Sequence, residues 1–282
     1  MFELRWERPL HQRPSIHDFA VADGDVLVHE RSTRLVRLAG SDGTVHWDVP
    51  LGTWPRAVVV DGTDVFALPQ LPSRLFCLSW PTGEPRWTRD VGWPSGHVVA
   101  SPNLVLVGGW RGYTPLRALD RTTGELRWTR SGSTVRPAWF AGGFLVGKPG
   151  GRLVELLRPA TGAVERAWWA HVPDPDAGPV FEVSGSSAVV GGRALDPTSW
   201  RTHPAPAAAF PRPTSVERLV GSVAVAGGLV TLDNAGHLEH WAADGTRLTR
   251  TRVAGRAVGL HILAPGRIAV AGKGTVAVYD IG

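Results

Sequence analysis

The chain has 282 residues, 43% of them hydrophobic, with a formal net charge of +5 and a sequence pI of about 10.3. This composition provides a substantial core, and 34 glycines and 23 prolines without low-complexity repeats indicate many turns rather than disorder. It excludes an intrachain disulfide, because Cys77 is the only cysteine, and a membrane-spanning helix, because no apolar run reaches about 18 residues.

A strand, a glycine turn and a second strand with a tryptophan recur from the N-terminus onward. The chain opens with Glu-Leu-Arg-Trp at residues 3–6, and the same four residues stand at 125–128. The best copy, residues 116–130, alternates apolar and polar residues on both sides of its Thr-Gly turn, as the half-buried strands of a hairpin do. The turn glycines of the clear copies are Gly43, Gly83, Gly124, Gly162 and Gly245.

The spacing of these copies predicts the fold. The turn glycines lie about 40 residues apart, and a degenerate copy at residues 195–200 fills the one double interval. A period of about 40 residues with about four short strands per unit is typical of a β-propeller. We predict an all-β, seven-bladed β-propeller with four-stranded antiparallel blades. The expected blades of this single domain, residues 1–282, are 12–52, 53–92, 93–132, 133–174, 175–212, 213–255, and 256–282 together with 1–11.

The last unit is split between the two ends of the chain. Residues 275–280 provide one strand, after which the chain stops, and residues 2–8 match the tryptophan-bearing strand of the other units. Pairing of these two strands leaves the ring without an open edge. We therefore predict that the N-terminal and C-terminal strands pair and close the propeller.

The Leu-x-x-Leu-Asp strand at residues 116–120, its Thr-Gly turn and Trp128 resemble the repeat of the pyrroloquinoline-quinone-type propellers, the quinoprotein alcohol dehydrogenase-like superfamily. The resemblance extends over nearly the whole chain. It implies that a tryptophan of each blade leans onto the neighbouring blade. The tryptophans in question are Trp6, Trp47, Trp87, Trp128 and Trp168 or Trp169.

The same superfamily includes quinone-dependent dehydrogenases and non-enzymatic scaffolds such as an outer-membrane assembly lipoprotein. Its dehydrogenases carry vicinal cysteines beside the cofactor, and Cys77 alone does not provide such a pair. We therefore expect no quinone and no other cofactor. The leading hypothesis is a non-redox binding or scaffold propeller.

Loops that lead into the inner strands share an Arg-Pro theme, which predicts a cationic rim at one mouth of the central channel. A protein, a peptide or an anionic small molecule is the expected ligand, because guanidinium groups suit carboxylates and phosphates. The alternative is that these arginines only bind neighbouring carbonyls. Exposed aromatic candidates are Trp54, Trp93, Trp110 and Tyr113, and the candidate ligand-binding residues are Arg13, His17, Arg56, His97, Arg136, Trp139, Arg212 and Arg256.

Inner-strand positions that are apolar in most units are polar or charged in the later ones, at Glu182, Glu217, Arg218 and His261. Aligned on the turn that follows the inner strand, Glu182 would face Arg218, and Glu217 would face His261. Charges at such positions need a partner or solvent. Two interpretations remain: structural ion pairs, or the acid and base of a cofactor-independent enzyme of specialised metabolism.

The remaining expectations concern metals, partners and location. Asp233, His237, Glu239 and His240 are close in sequence, but Glu239 and His240 point to opposite faces of a strand, so no metal site is predicted. Scattered arginines without a basic run or an RNA-binding signature make nucleic acid an unexpected partner. We expect a cytoplasmic monomer that does not bind membranes.

Overall fold

The structure is a computed structural model, and it describes residues 1–10, 19–30, 34–92, 96–109, 115–131, 135–148, 153–169, 181–184, 187–190, 193–204, 219–253, 256–272 and 274–282. The described residues form 28 strands and no helix. The strands make seven antiparallel sheets of four strands each, so the predicted seven-bladed β-propeller is confirmed. We number the sheets as blades in chain order.

The N-terminal half of the chain contains β1 and the first three blades. β1 spans Phe2–Pro9. Blade 1 contains β2 (Phe19–Ala22), β3 (Asp25–Glu30), β4 (Arg34–Leu38) and β5 (Val45–Pro50). Blade 2 contains β6 (Thr53–Asp61), β7 (Asp64–Leu71), β8 (Arg74–Ser79) and β9 (Pro85–Asp90). Blade 3 contains β10 (His97–Ala100), β11 (Leu104–Gly108), β12 (Leu116–Asp120) and β13 (Leu126–Arg130).

Four further blades follow. Blade 4 contains β14 (Val135–Phe140), β15 (Gly143–Gly147), β16 (Leu153–Leu157) and β17 (Val164–Trp169). Blade 5 contains β18 (Phe181–Ser184), β19 (Ser187–Val190), β20 (Arg193–Leu195) and β21 (Thr202–Pro204). Blade 6 contains β22 (Leu219–Val225), β23 (Gly228–Asp233), β24 (His237–Ala242) and β25 (Arg247–Arg252). Blade 7 contains β26 (Ala257–Ala264), β27 (Arg267–Gly272), β28 (Thr275–Ile281) and β1.

The two chain ends pair in blade 7, as the split repeat predicts. β1 runs antiparallel to β28 from the pair Phe2 and Ile281 to the pair Pro9 and Thr275, with a bulge after Leu4. The backbone N–H of Leu10 extends the contact by donating to the carbonyl of Gly274 at 2.7 Å. Blade 7 is therefore complete only with the N-terminal strand.

The chain divides into two compact units: Met1–Val65 with Ser79–Glu84 and Ala208–Gly282, and Phe66–Leu78 with Pro85–Ala207. In each unit the apolar core lies between neighbouring sheets. In the first, Trp6 and Phe19 join a cluster with valines and leucines of blades 1 and 7. In the second, Phe144 of blade 4 packs with Leu106 and Leu116 of blade 3. Second strands such as β3 and β15 are buried throughout, whereas outer strands such as β17 are largely exposed.

Candidate functional site

Five tryptophans of the repeat donate hydrogen bonds from one blade to the next. Each lies on the fourth strand of its blade, and its indole Nε1–H donates to a carbonyl in the turn between the third and fourth strands of the next blade. The donor and acceptor pairs are Trp6 to Gly40 at 3.1 Å, Trp47 to Trp80 at 2.8 Å, Trp87 to Arg121 at 3.0 Å, Trp128 to Pro159 at 2.6 Å and Trp168 to Trp200 at 3.3 Å.

The turn glycine of the receiving blade lies directly against the indole. Gly43, Gly83, Gly124 and Gly162 all have φ between +68° and +74°, a conformation that L side chains rarely adopt. A Cβ at Gly124 would come within 2.6 Å of Cε3 of Trp87, and one at Gly43 within 2.9 Å of Cε3 of Trp6. The turn therefore requires glycine for two reasons, its backbone conformation and the room that the indole occupies.

Three arginines add hydrogen bonds to the same contacts between blades. The repeat pattern alone did not predict this role. Each stands two residues after a tryptophan and donates to the carbonyl of the turn glycine in the next blade. The bonds are Arg8 Nη1 to Gly43 at 3.4 Å, Arg89 Nε to Gly124 at 3.1 Å and Arg130 Nη1 to Gly162 at 3.1 Å. The signal was the Trp-x-Arg spacing at residues 6–8, 87–89 and 128–130.

The predicted ligand-binding residues are only partly within the described part of the chain. Arg13, His17 and Arg212 lie outside the described residues. Arg136 belongs to β14, but its side chain is outside the description as well. The predicted aromatic candidates Trp93, Trp110 and Tyr113 likewise lie outside the described ranges.

Three of the predicted ligand-binding residues stand where an inner strand begins. Arg56 is the fourth residue of β6 and is half-buried, and His97 is the first residue of β10. Arg256 is exposed and directly precedes β26. They therefore occupy similar places in their own blades, as the loop alignment predicted, and their role in binding stays a prediction.

Trp139 lies at the opposite end of its strand from the predicted loop. The inner strand β14 already begins at Val135, so Trp139 is its fifth residue and adjoins the turn to β15. Its ring is half-buried and meets the buried ring of Phe144 edge-on, with centroids 5.0 Å apart and planes at 65°. Trp139 therefore lies on the inner strand close to its turn, and its role in binding stays a prediction.

The alignment behind the predicted catalytic pairs is wrong in two blades. In blade 6 the inner strand pairs through Val225 and Gly228, so the turn comes at residues 226–227 and the inner-strand positions belong to Val223 and Ala224. Residues 217 and 218 precede β22 and lie outside the described residues. Glu217 and Arg218 therefore do not occupy the positions on which the pairing with His261 and Glu182 depended.

A similar shift of one residue applies in blade 5. The pair of Ser184 with Ser187 closes the turn, so Val183 and not Glu182 is equivalent to Val21 of blade 1, which immediately precedes the closing pair there. The Glu182 backbone lies in β18, and its side chain is outside the description. The catalytic role of these residues stays a prediction without the alignment that suggested it.

His261 is an aromatic packing residue of the first unit. It lies on β26, opposite Ala269, and its ring meets that of Phe19 edge-on at 4.9 Å. Burial lowers its pKa below the usual value for histidine, because the charged imidazolium loses its hydration there. The ring is therefore neutral at neutral pH.

Three of the four side chains in the polar cluster of blade 6 have charged or polar partners. His237 Nδ1 lies 2.9 Å from Oδ2 of Asp233, and the buried Glu239 has Arg247 at 3.2 Å and Arg250 at 3.5 Å. Within the described ranges, no group of three or more His, Cys, Asp or Glu side chains is arranged to hold a metal ion. The same ranges contain no helix with the length and hydrophobicity needed to span a membrane.

A cleft of about 520 Å³ opens in the second unit, between blades 3 and 4. One wall is the turn between β10 and β11 with Pro102 and Leu104, together with Arg127 of β13. The other wall is formed by Trp139, by Gly142 in the turn between β14 and β15, and by the turn that contains Pro159 and Ala160. We refer to it as the blade 3–4 cleft. Of the predicted ligand-binding residues, Trp139 lines this cleft; its other lining residues were not predicted to bind a ligand.

The charged side chains of the blade 3–4 cleft, Asp120 and Arg127, form an ion pair. Arg127 Nη2 donates to Oδ2 of Asp120 at 2.7 Å, and the backbone N–H groups of Thr122 and Thr123 donate to Oδ1, each at 2.9 Å. Together these bonds lower the pKa of Asp120 to about 2, and the bond from Arg127 has the largest effect. Asp120 is thus a carboxylate at any physiological pH, and its Oδ1 is already an acceptor for two backbone donors.

The repeat geometry agrees with comparisons to known proteins. Among solved structures, BamB from Moraxella catarrhalis matches with a TM-score of 0.78 and 17% identity over 100% of both chains. The WD40 domain of Neurospora crassa Pan2 matches with a TM-score of 0.64 and 12% identity over 99% of this chain and 95% of that one. The computationally designed Ika8 protein matches with a TM-score of 0.56 and 12% identity over 97% and 98%. At these identities the structures show the fold.

The sequence itself supports a closer assignment. No curated protein sequence matches the chain significantly. A family model described as outer membrane protein assembly factor BamB, however, matches residues 52–195, just over half of the chain. This segment includes the turn glycines Gly83, Gly124 and Gly162, together with Trp87 and Trp128, whose indoles lie against the last two. The chain therefore belongs to the family of the outer membrane protein assembly factor BamB, whose members are built from PQQ-like β-propeller repeats.

Proposed function

We propose that the protein is a non-redox scaffold that binds a protein or peptide on the side where the inner strands of its blades begin. Family membership supports the general role, because the family is described as an assembly factor and an assembly factor acts through contacts with other proteins. The positions of Arg56 and Arg256 support the choice of surface, since each stands at the start of an inner strand.

The observation that carries the proposal is the conformation of Trp54, the second residue of β6. Its side chain is 51% exposed and its φ is +59°. A residue other than glycine in this region costs about 1 to 3 kcal/mol, and such residues concentrate at functional sites. An exposed tryptophan is also the side chain most enriched among the residues that dominate binding energy. The backbone of Trp54 is therefore held in an unfavourable conformation while its indole is exposed to solvent.

Arg56 extends the surface around Trp54. Arg56 stands two residues after Trp54 on β6 and is half-buried, and we propose that its guanidinium belongs to the same binding surface. A planar cation next to an exposed indole suits a partner with both apolar and acidic side chains. We propose such a segment as the partner.

The tryptophan contacts between blades make this surface stiff before binding. We propose that they act as docking contacts, holding each outer strand against the next blade so that the inner strands keep fixed positions. A preformed surface loses less conformational entropy on binding and so binds more tightly.

A photo-crosslinking amino acid at position 54, in the protein expressed in its own cells, tests the proposal. We expect one dominant crosslinked protein, and we expect the purified partner to lose about thirtyfold in affinity on Trp54→Ala, as a residue that dominates an interface does. The matched control is Trp169→Ala, because Trp169 is 80% exposed at the end of β17. Equal affinity of the two variants for that partner would refute the proposed surface.

A further inference from the structure

The blade 3–4 cleft has the size and the rigidity of a small-molecule site. Its volume of about 520 Å³ lies inside the range of roughly 300 to 1,000 Å³ that such sites occupy. Trp139 is held by its edge-on contact with Phe144, which is fully buried. Pro102 and Pro159 restrict the backbone of the turns on either side. The walls are therefore formed before any ligand binds.

The apolar part of the cleft offers a flat aromatic surface. Trp139 is half-buried, so its indole belongs both to the core and to the cleft. The prolines and Leu104 add aliphatic surface around it. Gly142 adds no side chain to its wall of the cleft, and a Cβ at that position would meet no atom within 4 Å. A planar ring stacks well on an indole in such a setting.

The polar part of the cleft offers hydrogen-bond donors. Oδ1 of Asp120 accepts hydrogen bonds from two backbone N–H groups, and its Oδ2 accepts one from Arg127. Little of the acceptor capacity of Asp120 is therefore left. Arg127 has five N–H donors, and its hydrogen bond in the described part of the chain uses Nη2 only. Its side chain is 52% exposed. The ligand group that complements these donors is an anion, and a carboxylate fits a guanidinium in two-point geometry.

We propose that the blade 3–4 cleft binds a small planar aromatic molecule that carries a carboxylate, with its ring on Trp139 and its carboxylate on Arg127. This site differs from the surface around Trp54, because it lies in the other compact unit and at the turns that end the inner strands rather than at their starts. Binding in the cleft therefore does not depend on the scaffold proposal.

The test uses the full chain with naphthalene-2-carboxylate as the probe and the uncharged naphthalene-2-carboxamide as its comparison. Titration calorimetry and ligand-detected NMR report affinity. We expect saturable one-to-one binding of the carboxylate, about tenfold tighter than that of the amide, because a charge-assisted bond contributes about 1.4 kcal/mol more than a neutral one.

Two variants locate the bound probe. Ala160 is exposed on one wall, so Ala160→Trp fills the cleft without disturbing the core, and we expect it to abolish binding of both probes. Arg127→Gln should remove the preference for the carboxylate while the ring still binds. The matched control is Arg5→Gln, because Arg5 precedes Trp6 as Arg127 precedes Trp128 and pairs with Asp280 at 2.5 Å.

Three results would overturn the proposal. The first is equal affinity of wild type for the carboxylate and the amide. The second is unchanged binding in a folded Ala160→Trp variant, with folding established by circular dichroism. The third is an absence of saturable binding of either probe to the wild-type protein.

Discussion

At the scale of single residues, the turn glycine is the point where the repeat is most constrained. Gly124 has a positive φ of 69° and lies under the indole of Trp87. The two requirements are physically separate, since the first concerns the backbone and the second concerns space. The chain offers a position where only the first applies: Gly142, with φ of 89° and nothing near a Cβ.

Gly124→Ala is therefore expected to destabilise the protein more than Gly142→Ala. Both substitutions force alanine into the left-handed region at a cost of about 1 to 2 kcal/mol. Gly124→Ala also pushes a methyl group against Trp87, which adds about 1 to 3 kcal/mol. Urea denaturation of the two variants measures the difference, and equal losses would show that the indole does not constrain the turn.

A second residue-scale prediction concerns His29 of β3, which is fully buried. Burial lowers its pKa to about 4, whereas in the unfolded chain it is about 6.5. Between these values the unfolded chain binds a proton that the folded protein does not, so stability falls as the pH drops from about 6.5 to about 4. The loss is on the order of 3 kcal/mol and is absent above about pH 7.

His29→Gln should flatten this part of the stability curve, whatever its effect at pH 7. The measurement is the free energy of unfolding at pH values from 4 to 7. The exposed His203 provides the control, because His203→Gln should leave the curve unchanged. A curve for His29→Gln as steep as that of the wild type would show that His29 is not responsible.

The residue patterns also show what the sequence could and could not predict. The turn glycines Gly43, Gly83 and Gly124 were predictable because each stands four residues before a tryptophan. Their arginine partners were missed, because the bond from Arg89 to Gly124 joins positions 35 residues apart. The positions of Glu217 and Arg218 were misjudged because blade 6 has no tryptophan on β25. Without that marker, only the pairing of β22 with β23 shows where the turn lies.

At the scale of elements, β1 is the fourth strand of blade 7. It stands at the N-terminus, whereas the other three strands of that blade stand at the C-terminus. Its Glu-Leu-Arg-Trp residues recur at residues 125–128, at the start of β13, and both strands occupy the outer position of a blade. This identity is why the sequence predicted the pairing of the chain ends. Arg5 and Arg267 both pair with Asp280 and so link β1, β28 and β27.

Deleting residues 1–8 should expose the edge of β28 and promote aggregation. The deletion removes Phe2 and Trp6 from the core and leaves unpaired backbone groups along a hydrophobic strand. We expect a lower melting temperature together with concentration-dependent light scattering. A truncated protein that melts like the full chain and stays monomeric would show that β1 is dispensable.

At the scale of the whole molecule, the N-terminal strand completes the last of seven similar four-stranded sheets. Each blade except the seventh is continuous in sequence, and blade 7 is shared by residues 2–9 and 257–281. Among the described sheets, blade 7 is therefore the one whose assembly requires both ends of the chain.

The pairing of the chain ends is tested most directly by disulfide formation in a Cys77→Ala background. Glu3 faces Asp280 across β1 and β28, so cysteines at these positions have the Cα separation of about 5 Å that a disulfide needs. Cysteines at 3 and 267 are the control, because Arg267 faces Asp280 from the other side and lies two strands from Glu3, at about 10 Å. We predict complete oxidation of the 3–280 pair, with a higher melting temperature, and none of the 3–267 pair. Equal oxidation of both pairs, or of neither, would contradict the closed seventh blade.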